Sequence, residues 1–176
     1  PFHSIGFYSV FETELIRNVD VLTGGFGADY GGRISAIVDI KTREGNKNRQ
    51  SGQVSVGPFM VKGLIEGPLK RFSEGGTSVS YVLTAKKSLI EQTSKSLYSY
   101  AAEDKKVGLP FGFTDLYGKL SINTANGSRF NVFGFNYKDS YDNPFLATID
   151  WKNTGGGVNF HMIPAESDII VDGVVG

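Results

Sequence analysis

No apolar run in this chain is longer than three residues, as at Phe59-Met60-Val61 or Tyr81-Val82-Leu83. A membrane-crossing helix needs about 20 mostly apolar residues, so that element is excluded. From residue 51 onward apolar residues instead recur at every second position, the period of a strand with two unlike faces. In the clearest run Val79, Tyr81, Leu83 and Ala85 share one face, and Ser78, Ser80, Thr84 and Lys86 take the other. Asp115, Tyr117, Lys119 and Ser121 oppose Leu116, Gly118, Leu120 and Ile122 in the same way. Shorter alternations cover 53–56, 61–66, 158–162 and 169–175. The stretch 129–138 is aromatic on both faces and leaves its register open. The pattern predicts an all-β chain with about seven strands in an antiparallel meander. A transmembrane β-strand remains admissible, because its signal is an alternation of only about ten residues.

The expected connections differ by end. Links at 69–76, 123–128 and 164–167 are tight and polar, and Asn126-Gly127 suits a hairpin turn that needs φ > 0. Of the links at the other end, 57–60 is short, whereas 91–111 and 139–148 are long. Short turns at one end and long loops at the other are the habit of outer-membrane barrels. A soluble β-sandwich, serving as a binding or adhesion module, shows similar alternation with less regular loop asymmetry, and on pattern alone both readings stand.

Composition narrows the chemistry. Lys+Arg and Asp+Glu both number 18, so there is no bulk electrostatic case for nucleic acid. Cysteine is absent and only His3 and His161 are present, which removes disulfides, thiolates and most zinc sites. Glycine, at 23 of 176 residues, is about twice its usual frequency and fits a turn-rich chain. Gly25-x-Gly27 begins like a dinucleotide fingerprint, but Tyr30 takes the third glycine position and a strand follows where a helix is needed. Asp139, Asp142 and Asn143 lack calcium-loop spacing and read as a solvated loop. Glu12, Glu14, Asp20 and Asp29 have no histidine partner, so no acid–base pair is defined. The sequence presents no catalytic site, metal site or cofactor site, and the chain is expected not to be an enzyme.

Residues 1–45 differ from the rest. A short helical turn at 12–17 precedes a strand at 19–22, a glycine loop at 23–32, a second strand at 34–41 and a polar turn at 45–49. The stretch Ile16 to Thr42 resembles the end of the plug domain of TonB-dependent outer-membrane receptors, through Val19-Asp20-Val21-Leu22, Gly24-Gly25-Phe26, Tyr30-Gly31-Gly32-Arg33 and Lys41-Thr42. Its variants are similar to receptors of Bacteroidota that carry a carboxypeptidase-regulatory-like extension. Leu64 to Leu69 and Phe113 to Leu120 resemble the first barrel strands of that group. Asp150-Trp151-Lys152-Asn153 resembles its Asp-Trp-Gly-Asn element, with Lys152 in place of glycine. The plug end departs from that of the starch-utilisation glycan importers.

The resemblance implies that 1–45 is the C-terminal part of a plug domain and that 46–176 supplies the first strands of an incomplete transmembrane β-barrel in the cell outer membrane. Barrels of this family have about 22 strands, and seven cannot close, so the chain is expected to be a fragment. The implied activity is import of a scarce nutrient, whether iron chelate, cobalamin, glycan or peptide. The implied partners are the TonB-ExbB-ExbD energy-transducing complex, outer-membrane lipid, the small nutrient ligand and a surface lipoprotein. Strands would turn Val79, Tyr81, Leu83, Leu116, Leu120 and Ile122 to lipid, and Lys62, Glu66, Lys86, Asp115 and Lys119 to the lumen. His3, Phe7 and Tyr8 fall where an apical plug loop would meet ligand, with packing against the barrel wall as the other reading. Gly24, Gly25, Tyr30, Gly31, Gly32 and Arg33 would pack plug against barrel, and Arg33 either reaches a lumenal acceptor or is an exposed residue after a turn. Links 70–76, 124–128 and 164–167 would be periplasmic, and 91–111 and 139–148 extracellular.

Overall fold

All of the period-two stretches become strands of one sheet. The computed structural model describes residues 2–3, 8–9, 12–25, 27, 35–72, 76–100, 108–143, 147–164 and 169–176. It divides into two compact units, Phe11–Arg43 and Pro1–Val10 together with Glu44–Gly176.

In the smaller unit a single 3-10 turn, Thr13–Leu15, leads into β3 (Ile16–Leu22), which pairs antiparallel with β4 (Ile37–Thr42) across a register shift between Ile16 and Asn18. Arg43 closes the hairpin's base, its amide donating to the Leu15 carbonyl at 2.7 Å and its Nε to the Glu14 carbonyl at 2.6 Å. Lys41 lies 3.3 Å from both Asp20 and Asp39, which raise its pKa.

The larger unit opens with a two-residue pair, β1 (Phe2–His3) and β2 (Tyr8–Ser9). Its body is a seven-stranded antiparallel meander. The strands are β5 (Ser51–Val56), β6 (Met60–Lys70), β7 (Ser78–Ser88), β8 (Phe111–Asn123), β9 (Arg129–Asn143), β10 (Ala147–Met162) and β11 (Val171–Val175). Each strand neighbours the next in sequence.

Two expectations about the links and one about where a strand starts need correction. Residues 139–148 are not a long loop: Asp139 to Asn143 continue β9, and Ala147 and Thr148 begin β10. Their turn-forming side chains mislead because cross-strand pairing supplies what the loop reading omits. Asp142 accepts from the Thr148 hydroxyl at 2.7 Å, and Tyr141 lies against Phe111 with ring centroids 5.3 Å apart. Likewise β10 starts eleven residues before Val158, running through Gly155-Gly156-Gly157. The run stays extended because rings from β9 fill the missing side chains. A Cβ at Gly155 would meet the Phe135 ring and one at Gly157 the Phe133 ring, each directly opposite in register. The same pairs settle the ambiguous aromatic strand: Phe133, Phe135 and Tyr137 share one face of β9, and Phe130 and Val132 the other.

The link after β7 is not plain loop either. It carries α1 (Ile90–Leu97), whose Ser94 is buried and accepts from the Leu109 amide at 2.8 Å. Thr93 donates to the Pro58 carbonyl at 2.6 Å, and Tyr98 stacks on Phe59 at 5.7 Å, so α1 is fastened to the turn between β5 and β6.

At the opposite end the chain enters the sheet through Gly45, where an added Cβ would land on the Tyr81 carbonyl oxygen. Backbone cannot give way there as a side-chain tip could, so Gly45→Ala should lower the unfolding free energy of the intact protein by about 1–3 kcal/mol. Gly63→Ala, which meets nothing within 4 Å, should stay within about 0.5 kcal/mol of the parent in the same urea titration.

Candidate functional site

Directly opposed residues of an antiparallel pair project to the same side, so the register sorts every side chain of the meander onto one of two faces. The first face carries Val54, Ile65, Leu83, Leu116, Leu120, Val132 and Val158. The second carries Glu66, Ser80, Lys86, Asp115, Lys119, Asn131 and Asp139 among aromatic rings. The apolar face is the more exposed of the two. Ile65, Leu83 and Leu116 are 53%, 46% and 50% exposed, whereas Ser80, Lys86 and Asp115 are 1%, 5% and 4% exposed. The two sets expected from alternation, Val79 through Ile122 and Lys62 through Lys119, do fall on separate faces.

The apolar face is not a rectangle. Val56, Val61, Lys87, Thr114, Lys138 and Lys152 form one continuous row of opposed residues from β5 to β10. In that row the first two are apolar and the other four are polar. In the next row, Val54, Gly63, Ala85 and Leu116 are apolar or glycine, and Asn136 and Thr154 are polar. Only in the third, Gly52, Ile65, Leu83, Gly118, Gly134 and Gly156, is every member apolar or glycine. The margin therefore drops two rows in four strands, about 13 Å along the chain against about 19 Å across it. The lower margin runs from Gly52 on β5 to Val79 on β7, Phe130 on β9 and Met162 on β10, and slopes in the same sense. The apolar band crosses the strands at about 35–40° from the hydrogen-bond rows.

The polar face has two anchored ends. Toward α1, Lys86 and Asp115 are opposed across β7 and β8 as an ion pair at 3.0 Å. The Lys86 ammonium also donates to the Ser9 carbonyl at 2.8 Å and lies 5.5 Å from the centre of the Phe113 ring. Through this contact the β1–β2 pair sits on the polar face. At the far end Glu66 accepts from the Asn46 amide and the Ser51 hydroxyl, both at 3.1 Å. Burial pushes the Glu44 carboxyl up, but the Lys47 ammonium at 2.6 Å and the Asn123 amide at 3.1 Å outweigh it and hold the group below the usual carboxylate range. In the centre, the Ser80 and Ser121 hydroxyls, opposed across β7 and β8, have no hydrogen-bond partner among the described residues.

Of the residues singled out from the sequence, His3 and Tyr8 are opposed across β1 and β2. Gly24 and Gly25 adopt φ of +148° and +66°, a backbone that glycine accommodates without strain. Phe7, Tyr30, Gly31, Gly32 and Arg33 lie outside the described residues. No group of three or more His, Asp or Glu side chains able to hold a metal occurs among the described residues. Sequence reasoning missed the anchors at Glu44 and Ser9 and the row containing Lys87, Lys138 and Lys152, because each depends on register between separate strands. No family model, curated protein or solved structure matches the chain.

Two outcomes follow from the buried groups. Lys86→Met strips the buried Asp115 carboxylate of this cation and should cost about 3–5 kcal/mol in denaturant unfolding, and Lys86→Met with Asp115→Leu should recover part of it. Glu44, with its pKa lowered on folding, stabilises the fold above its unfolded value near 4.5 and stops doing so as pH falls through the depressed folded value. Acid titration of stability should therefore fall less steeply below pH 4.5 in Glu44→Gln than in the parent.

Proposed function

We propose that this chain is part of an active importer of the outer membrane, related to the TonB-dependent receptors. Residues 46–176 supply consecutive transmembrane strands, and residues 1–45 form the end of the plug that fills the lumen. The slanted apolar band on the exposed face, backed by a charged and buried face, carries the reading. Strands of a closed transmembrane barrel tilt by about 35–45° to its axis, so a level slab of lipid would cut across the hydrogen-bond rows at that angle. The observed slope falls within this range on both margins. A sandwich that covers its apolar face with a second sheet has no reason for both margins to slope together.

Strand length agrees with the same reading. About 9–11 residues suffice to cross at 45°, and β9 and β10, with 15 and 16, would project beyond the membrane. Their surplus lies toward the end that carries Asp139, Asp142 and Asp150, which suits water. The chain leaves the plug at Glu44 to Arg49 beside the end that holds the links 71–77, 124–128 and 163–170. That end is periplasmic in this reading, and α1 with the 57–59 turn is extracellular. The imported substrate is a scarce nutrient, either iron chelate, cobalamin, glycan or peptide. Energy comes from the inner-membrane TonB-ExbB-ExbD complex acting on the whole receptor, and a surface lipoprotein is the expected external partner. The chain contributes no catalytic chemistry, and ligand would meet the plug near His3, Phe7 and Tyr8.

The chain has no cysteine, so single replacements report position directly. In the full-length protein of intact cells, cysteine at the exposed Ser96 of α1 should react with a membrane-impermeant maleimide. Cysteine at the exposed Ala125, in the link between β8 and β9, should react only after the outer membrane is permeabilised. The reverse pattern overturns the orientation. Recovery of the protein in a soluble fraction overturns the membrane assignment itself.

A further inference from the structure

The apolar face bears one charged feature that the importer reading does not use. Lys87, Lys138 and Lys152 project from it in a single row, with Thr114 between the first two. All four residues are exposed. Lys138 and Lys152 are directly opposed, one strand spacing of about 5 Å apart, and Lys87 lies two spacings from Lys138. Like charges placed directly opposite, as Lys138 and Lys152 are, disfavour a sheet slightly, and an anion between them would offset that. None of the three forms an ion pair among the described residues, and the carboxylates set on the same face, Asp142 and Asp150, lie four residues from Lys138 and two from Lys152 along their strands. Immediately below the row the face is hollowed. Gly118, Gly134 and Gly156 are successive opposed residues, and Gly118 and Gly134 join Gly63, Leu83 and Leu116 around an open depression of about 600 Å³.

We infer that this row and hollow bind a phosphate-bearing lipid, the phosphate on the lysines and an acyl chain along the glycines. The inference rests on the membrane reading, which puts the row at the external margin of the apolar band, at headgroup depth. Charge complementarity selects the occupant. Three ammonium groups at a membrane surface attract anionic headgroups, each by a comparable increment, whereas the depression beneath them offers apolar surface and little else. A zwitterionic lipid or an uncharged diacylglycerol satisfies only the lower half of the site. Free phosphate satisfies only the upper half.

The test uses the full-length protein purified in a non-ionic detergent, with bound lipid counted by native mass spectrometry. The protein should retain dioleoyl phosphatidic acid in preference to dioleoylglycerol and dioleoyl phosphatidylcholine. Replacing Lys87, Lys138 and Lys152 together by Gln should reduce that occupancy by about tenfold or more, and Lys138→Gln alone should reduce it by a smaller factor. Gly134→Leu, whose added side chain starts in open space with only a backbone oxygen at 3.7 Å, should weaken retention while the lysines stay in place. Excess inorganic phosphate should not displace the lipid. Equal retention by parent and lysine variants, or equal retention of dioleoylglycerol, overturns the site. If these results come from protein that fractionates with the outer membrane, the importer reading survives and only the lipid site fails. Protein found in the soluble fraction overturns both.

Discussion

The hydrogen-bond register of the seven-stranded meander is the constraint on which everything else depends. Because side chains alternate with period two, a slip of one residue between any two strands would exchange the whole of one face for the other. Lys86 and Asp115 would then stand among Leu83 and Leu116, each charge without its partner. Two kinds of interaction hold the register. Along β7 and β8, alternation itself does so, since on one face Val79, Tyr81 and Leu83 oppose Ile122, Leu120 and Gly118. Along β9 and β10, alternation is weak, and the register is held by rings seated over glycines, Phe133 on Gly157 and Phe135 on Gly155. A slip of one residue there would set one of the two rings opposite Thr154 or Val158 in place of glycine.

This division explains how far the sequence could be read. Strand existence and the meander order were legible wherever one face is apolar and the other polar, as at 78–86 and 115–122. The length of β9 and β10 was not, because Asp139, Ser140, Asp142 and Asn143 favour turns locally, and only their partners on the next strand keep them extended. The helix α1 was hidden for a related reason. Its eight residues include Thr93, Ser94 and Ser96, which compete for backbone hydrogen bonds, and it persists through Thr93 to Pro58 and Leu109 to Ser94. The site residues were least legible of all. Alternation set Glu66 and Lys86 on the polar face, but their partners Asn46, Ser51 and Ser9, and the Glu44 anchor, lie far off in sequence and emerge only when the sheet brings them together.

The distribution of polar groups carries a cost that a soluble fold would avoid. Burying Lys86 with Asp115, and leaving the Ser80 and Ser121 hydroxyls without partners among the described residues, costs free energy that apolar replacements would not. At the same time Val54, Val56 and Ile65 stand exposed on the other face, where water gains nothing from them. Both features become favourable together if the exposed face meets hydrocarbon and the polar face meets a hydrated, protein-filled interior. Either observation alone has an ordinary explanation in water. Their pairing on the two faces of one sheet is what the proposed membrane setting accounts for.

The proposed membrane setting would also dictate what the sheet edges need. In hydrocarbon an unpaired amide or carbonyl costs several kcal/mol, so a transmembrane sheet must present every strand with two neighbours. Among the described residues β5 pairs only with β6, and β11 covers β10 only from Val158 to Met162, leaving the stretch from Ala147 to Gly157 paired on one side alone. The slope of the apolar band decides which of these edges matters. On β10 the band lies between Gly156 and Met162, almost the span that β11 covers, whereas the uncovered part above it carries Lys152, Thr154 and Asp150 and belongs to water. On β5 the band reaches from Gly52 to Val56, nearly the whole strand. In that proposed setting the outer edges of β5 and β11 within the band are the ones that would need covering, and the upper edge of β10 could stay open to solvent without penalty.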